Sequence, residues 1–155
     1  MEENKPEIIE THIRLKRPVP DEISSPYGMR EHPITGKEKM HKGIYFATPF
    51  GSPVRAMASG HVFRAGLQDP DDPSKGYGLR LWQKAEIEGV EFYLWYGHLS
   101  EVVFKEGDAI AEGSIVGISG NSGESTGPHL HVSARKVNTG DFYNMEFYNT
   151  KERTV

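Results

Sequence analysis

Two histidines two residues apart, His129 and His131 in HLHVSARKV, are the sharpest chemical feature of this sequence. Side chains alternate between faces along a strand, so both imidazoles project to one side and Leu130 faces the other way, toward a core. Such a pair is half of a metal site or a pair of proton carriers, and it is equally the polar face of an exposed strand. His41 opens HKGIYFAT, where His41, Gly43 and Tyr45 share one strand face, and Gly43, lacking a side chain, leaves open space between the other two. A ligand pair four apart on a strand suits half of a metal site. Tyr45 is a poor second member, because a phenol, which ordinarily ionises only near pH 10, offers a metal a neutral oxygen unless the ion drives off the proton. Its alternative role is aromatic packing. His98, in WYGHLS, follows Gly97 where an aromatic strand meets a turn, a place from which a side chain can enter a cleft. His32, before a proline in a loop, and His61, in mid-strand and open to solvent, make weaker cases. The chain has 7 His and no Cys. Disulfides, a thiolate nucleophile and Cys-ligated zinc are therefore excluded, and any metal must be held by His and oxygen ligands.

The elements that must position these residues are short. In 155 residues there are 17 Gly and 10 Pro, a combined share well above the roughly 12% usual for globular chains. Most of the interior is cut every few residues, a rhythm of strands and turns rather than long helices. The expected fold is all-β: one domain of antiparallel sheet with Gly-rich bends and a groove on one sheet face. Residues 1–23 read as an N-terminal arm, in which Ile8, Ile9, Ile13 and Leu15 form a strand or a short helix. SPYGMREHPITGKEKM reads as loop, HKGIYFAT as one strand, and VRAMASGHVFRAGL as two. GLQDPDDPSKGYG, with Asp69, Asp71 and Asp72 among prolines, is a surface loop. GLRLWQKAEI and VEFYLWYGHL, alternating on either side of Glu88-Gly89, form a hairpin in a β meander. SEVVFKEGDAIAEGSIVGISG bends at Gly107, Gly113 and Gly117, and HLHVSARKV is a strand. The main domain spans 24–137. Residues 138–155 form a C-terminal tail, helical or lying as an aromatic flap, packed on the domain or flexible.

Composition removes several classes of function. With 18 Lys+Arg against 22 Asp+Glu the formal net charge is −4, so no broad basic field is available to a nucleic acid backbone. No apolar run approaches the roughly 20 residues of a membrane span. The start, MEENKPEIIE, is acidic where a signal peptide is basic and then apolar, so no signal peptide is expected in this chain. A monomer is the default expectation.

From about Ser24 to Arg135 the sequence resembles the lysostaphin/LytM-type zinc metalloendopeptidases that cut peptide cross-links in bacterial cell walls. The resemblance rests on SPYGMREHPITG, HKGIYFATPFGSPVRAMASGHV, GYGLRLW, YLWYGHLS, EGDAIAEGSIVGISGNSG and STGPHLHVSARK, in the family's order. It implies a LytM-like, duplicated-hybrid-motif fold and one Zn2+ ion bound through HxxxD and HxH motifs. His41 and His131 are then the ligands, and His98 and His129 the paired catalytic histidines. Tyr45 stands where the family pattern has Asp, which removes the anionic ligand. Two imidazoles and a phenol hold zinc more weakly, unless tyrosinate forms or a carboxylate such as Glu31 or Glu38 swings in.

The activity so implied is a zinc-dependent endopeptidase hydrolysing cross-links or stem peptides of peptidoglycan. It would act at the bacterial cell wall: periplasmic, extracellular or phage-delivered. REHPITGKEKM and LQDPDDPSKGYG would wall the substrate groove. A reading from another class is an inactive LytM-like module that binds peptidoglycan or activates a cell-wall amidase, which the Tyr45 replacement favours. A biotinyl- or lipoyl-carrier reading of VRAMASGHV and EGDAIAEG fails, because Met57 is followed by Ala58 and Ser59 where a modified lysine is required.

Overall fold

β-branched and aromatic residues at alternate positions make the middle of this chain a sheet, and the turn between its two longest strands fixes their register. A computed structural model describes residues 5–31, 36, 38–123, 125 and 127–148, with 30, 31 and 39 described by backbone alone. The strands, in chain order, are β1 Glu7–Ile9, β2 His12–Lys16, β3 Ile23–Ser25, β4 Gly28–Glu31, β5 Glu38–His41, β6 Ile44–Phe46 and β7 Pro53–Arg55. They continue as β8 Gly60–Leu67, β9 Leu79–Ile87, β10 Val90–Val102, β11 Ala109–Ile110, β12 Ile115–Ser119, β13 Leu130–Lys136 and β14 Phe142–Tyr148. Among the described residues there is no helix, and so none long and apolar enough to cross a membrane. The fold is all-β, as the Gly and Pro rhythm implies.

The β9–β10 hairpin closes at Glu88-Gly89, where Ile87 pairs with Val90 and both turn residues have positive φ, 52° and 80°. That backbone is the one whose twist matches the strands in a two-residue loop. Beyond it β10 is the spine of the sheet. One edge pairs with β9 from Val90 to Leu99, with a register shift after Tyr96; the other pairs with β13 from Phe92 to Gly97 and then with β12 from Leu99 to Val102. β13 has a divided outer edge, taken by β6 at Leu130–Val132 and by β14 at Ala134–Arg135.

The structure departs from the sequence expectations in four places. SPYGMREHPITGKEKM is not all loop: β3 pairs with β6, and β4 with β5 as a separate two-stranded sheet. HKGIYFAT is not one strand, because β5 ends at His41 on β4 while β6 begins at Ile44 on β13. Residues 142–148 are neither helix nor flap; they form β14, which pairs with β13 and, in parallel, with β2. That parallel pair is itself the fourth departure, an exception in an otherwise antiparallel fold. It draws Ile13 and Leu15 of β2, both fully buried, into the main core. Residues 149–155 of the expected tail lie outside the described residues.

Alternation does the rest. Leu81, Ala85 and Ile87 of β9, Phe92, Leu94 and Tyr96 of β10, and Leu130, Val132 and Ala134 of β13 share the inner face at no more than 2% exposure. Each fully buried Leu, Ile, Val or Phe contributes about 1.5–3 kcal/mol. The outer face carries an aromatic and cationic ladder, with Trp82 and Trp95 ring centres 4.6 Å apart and the Arg135 guanidinium 5.8 Å from the Trp95 ring.

One polar network crosses the core. The Tyr96 hydroxyl donates to Gln83 Oε1 at 2.5 Å and accepts the Met57 N–H at 2.8 Å. Gln83 Nε2 in turn donates to the Ala58 carbonyl, so the β7–β8 connection is tied to β9 and β10. Burial pushes the Tyr96 phenol well above its ordinary value. Tyr96→Phe strands the Met57 N–H and is expected to cost about 1–3 kcal/mol, read as a lower denaturant midpoint at unchanged m. Because Tyr96 keeps its proton in the folded chain and releases it near pH 10 when unfolded, it makes unfolding free energy fall above that pH. The slope is about 1.4 kcal/mol per pH unit for this group. The variant should lose that share of the alkaline decline; an unchanged decline would show that Tyr96 ionises freely in the folded state.

Candidate active site

The strand register brings the chemistry together. On β13, His131 lies directly opposite Tyr45 of β6 on one side and Gly97 of β10 on the other. His98 follows Gly97 at the point where β10 passes from β13 to β12. There it adopts φ 61° and the pairing register shifts. The strand therefore does not end at Gly97, as the sequence suggests; it bulges, and the bulge turns His98 inward to 3% exposure. His41 ends β5 opposite Gly28, and His129 enters from the loop just ahead of β13.

Four imidazoles and two phenols converge. Ring centres of His98 and His129 are 4.6 Å apart, of His41 and His131 5.7 Å, and of His98 and His131 6.0 Å. The Tyr45 ring lies among them, 4.5 Å from His41, 4.6 Å from His129 and 4.8 Å from His131. HxH thus projects both imidazoles to one face, while Leu130 is fully buried on the other. The open space expected at Gly43 is already taken. A Cβ there would fall 2.6 Å from Ser133 Oγ and closer still to His131 Nε2.

Backbone carbonyls set the tautomers of three of the four histidines. His41 Nδ1 lies 2.9 Å from Pro26 O, His98 Nδ1 2.6 Å from Ser122 O, and His129 Nδ1 2.8 Å from Gly127 O. A carbonyl only accepts, so each Nδ1 carries the proton and each Nε2 the lone pair in the neutral ring. His129 Nε2 is buried and has no hydrogen-bond partner among the described residues. His131 is the reverse case, with Nε2 3.0 Å from Ser133 Oγ.

Sequence reasoning missed Tyr77. It reaches from the acidic loop onto His131, ring centres 4.8 Å apart, over the space that Gly97 leaves; a Cβ on Gly97 would fall 2.7 Å from the Tyr77 ring. Its signal was present: one aromatic residue between Gly76 and Gly78 in an otherwise polar loop. Tyr45, Gln68, Gly76, Tyr77, His98 and His131 line a cavity of about 210 Å³, three of them from the LQDPDDPSKGYG loop. His61 stands exposed on β8 opposite Lys84. Residues 32–35 and 37 of the REHPITGKEKM segment, His32 among them, lie outside the described residues. Glu31 and Glu38 are register partners at the opposite end of the β4–β5 pair from His41.

The spacing of His41 and His131 is compatible with a shared zinc ion. Two imidazoles on one tetrahedral zinc have ring centres about 5 Å apart, given Zn–N bonds near 2 Å, and His41 and His131 are close to that at 5.7 Å. Among the described residues no three His, Asp or Glu side chains group as a metal site, so a zinc-binding set would have to draw on a donor of another type, such as Tyr45, whose ring lies 4.5 Å from His41 and 4.8 Å from His131.

The family model for peptidase family M23 matches residues 39–145. The chain is 42% identical over 113 residues to the DD-carboxypeptidase/endopeptidase Mpg of Neisseria meningitidis, covering 73% of this chain and 24% of that protein. It is 38% identical over 113 residues to lysostaphin of Staphylococcus simulans, covering 73% and 21%. The chain thus spans about a quarter of the length of these curated relatives. Among solved structures it is similar to the catalytic domain of lysostaphin from Staphylococcus simulans, with TM-score 0.62 and 32% identity, over 86% of this chain and 87% of that one. It is also similar to a zinc-containing peptidase from Vibrio cholerae, with TM-score 0.67 and 31% identity, over 81% and 37%. With the matched residues running from the β5 strand that ends in His41, through His98 and the HxH strand, to β14, the chain belongs to peptidase family M23.

Proposed function

We propose that this chain is a zinc-dependent endopeptidase hydrolysing cross-links or stem peptides of bacterial peptidoglycan, acting at the cell wall. In this reading His41 and His131 are zinc ligands, Tyr45 occupies the third ligand position, and His98 and His129 are the catalytic pair. The observation that carries it is His129: an imidazole whose Nδ1–H is held by a carbonyl and whose buried Nε2 lone pair is left for a reactant. A polar atom so placed is costly in a fold that gains nothing from it. The endopeptidase names of the relatives point the same way.

When bound, zinc supplies Lewis-acid polarisation of the scissile carbonyl and an acidified water. The chain's own residues do the remainder. His98 and His129, each with its lone pair at Nε2, take a proton from the attacking water and pass one to the leaving amine, a division of roles that general acid–base catalysis requires. Fixed Nδ1–H bonds to Ser122 and Gly127 keep both rings aimed without reorganisation. The Tyr45 and Tyr77 rings line the cavity beside His131. A peptide in extended form suits a groove floored by sheet.

Tyr45 supports a second reading, an inactive module that binds peptidoglycan or activates an amidase, since a phenol ring stands 4.5–4.8 Å from three imidazoles in place of a carboxylate. Two measurements separate the readings. After chelation and zinc reloading the chain should retain about one zinc per molecule, and His131→Ala should lose both the zinc and any hydrolysis of purified cell walls; hydrolysis surviving in that variant would sink the ligand assignment. Tyr45→Asp should bind zinc about tenfold or more tightly, about 1.4 kcal/mol. Cell-wall hydrolysis by the Asp variant alone, with none by the parent, would establish the inactive module.

A further inference from the structure

A second cavity lies beside the histidine cluster. Its volume is about 480 Å³, and Glu10, Tyr27, Lys42, Asp141 and Phe142 are among the residues that line it. Strand register gives its position. Along β13, His131, Ser133 and Arg135 share one face, and Phe142 pairs with Arg135 at the start of β14. The Phe142 ring stacks on Trp95 of that face, with ring centres 5.9 Å apart and planes at 23°. Four residues of strand separate His131 from the row of Arg135 and Phe142, about 13 Å at roughly 3.3 Å each. The wall nearest the histidines is shared with them: Lys42 follows His41 in the chain, and Tyr27 follows Pro26, whose carbonyl lies 2.9 Å from His41 Nδ1.

The charges around this cavity are of both signs and are not paired with one another. Glu10, Lys42 and Asp141 are all exposed, and among the described residues none of their side chains makes a hydrogen bond or an ion pair. Lys42 Nζ lies over the Phe142 ring, 5.3 Å from its centre, although the neighbouring residue is Asp141. The backbone that presents these groups is tied down. Glu10 sits in the β1–β2 turn, Asp141 O accepts the Lys136 N–H at 2.8 Å, and the Tyr27 hydroxyl donates to Phe142 O at 3.3 Å. Two carboxylates recognise an ammonium, one ammonium recognises a carboxylate, and an aromatic ring packs against the carbon chain that carries them. We propose that this cavity is a subsite for a peptide residue whose side chain ends in both an ammonium and a carboxylate, with Glu10 and Asp141 taking the first and Lys42 the second. An extended peptide of about four residues spans the distance from here to His131. That the occupant belongs to the peptide attacked at the histidines rests on the proposed function; the charge preference of the cavity does not.

The test uses three matched peptides, each an N-acetylated, C-amidated alanine tetrapeptide whose third residue is diaminopimelate, lysine or aminopimelate, so that the side chain ends in both charges, the ammonium alone or the carboxylate alone. Each is titrated into the 15N-labelled, chelated full chain, in which binding is read without hydrolysis. The diaminopimelate peptide should bind about tenfold more tightly than either of the others, shifting the amide signals of Lys42, Asp141 and Phe142. Lys42→Met should remove its advantage over the lysine peptide, and Glu10→Gln combined with Asp141→Asn its advantage over the aminopimelate peptide. All three positions are exposed, so the variants keep the fold. Equal affinity for the three peptides, binding of none of them, shifts confined to other residues, or preferences unchanged in the variants would each overturn the proposal. Failure of the proposed function looks different: a zinc-loaded chain that leaves cell walls intact while the chelated chain keeps the peptide preference loses the endopeptidase reading and retains the subsite.

Discussion

The position of β13 between β10 and β6 is the constraint on which the rest of the site depends. Cross-strand pairing places Tyr45, His131 and Gly97 in one row. A slip of one residue would turn His131 into the core and Leu130 or Val132 out of it. What prevents the slip is apolar burial: Leu130, Val132 and Ala134 are all at 0% exposure on the inner face, and exposing the first two would cost about 1.5–3 kcal/mol each. The polar face of β13 is thus held by the hydrophobic face beneath it, and the chemistry inherits its precision from the core.

Precision at the level of single nitrogen atoms comes from a different source. Two connections, β3–β4 and β12–β13, aim carbonyls at His41, His98 and His129, and each such bond fixes a ring rotation and a proton at once. These carbonyls belong to residues that have no chemistry of their own, Pro26, Ser122 and Gly127, so their contribution lies in backbone path rather than side-chain type. The tyrosine pair completes the enclosure. Gly97 and Gly43 are needed because the rings and the Ser133 hydroxyl approach the backbone too closely for any Cβ.

How much of this was legible in the sequence follows from which signals are local. The Glu88-Gly89 turn and the HxH face are written in adjacent residues and in a period of two, and both stand as read. The break between His41 and Ile44 is not, because alternation records which face a residue takes and says nothing of which strand it pairs with; β5 and β6 change partners without changing pattern. The bulge at His98 hides for a related reason, since it arises where β10 exchanges β13 for β12 and not from any turn residue beside it. The parallel β2–β14 pair joins segments more than a hundred residues apart. Tyr77 escaped because its contacts to His131 and Ser133 cross from a loop to a strand some fifty residues away, a distance at which a single sequence carries no register.

Tyr45 is where local reading and structure together sharpen the chemistry. An aspartate in a ligand position brings its negative charge with it, whereas a phenol brings one only by releasing its proton. Two neutral imidazoles and a neutral phenol would leave the full double charge of a zinc ion uncompensated in a site where His41 and His131 are 6% and 8% exposed, and uncompensated charge in low dielectric is costly. The cost is relieved if the ion itself drives off the phenolic proton, as a bound dication does for an oxygen ligand. A ring held between three imidazoles, with β6 fixed against β13, has little freedom to retreat from that role. The same packing that makes Tyr45 look like a structural residue holds the phenol beside the imidazoles, where an aspartate would have brought its charge already formed.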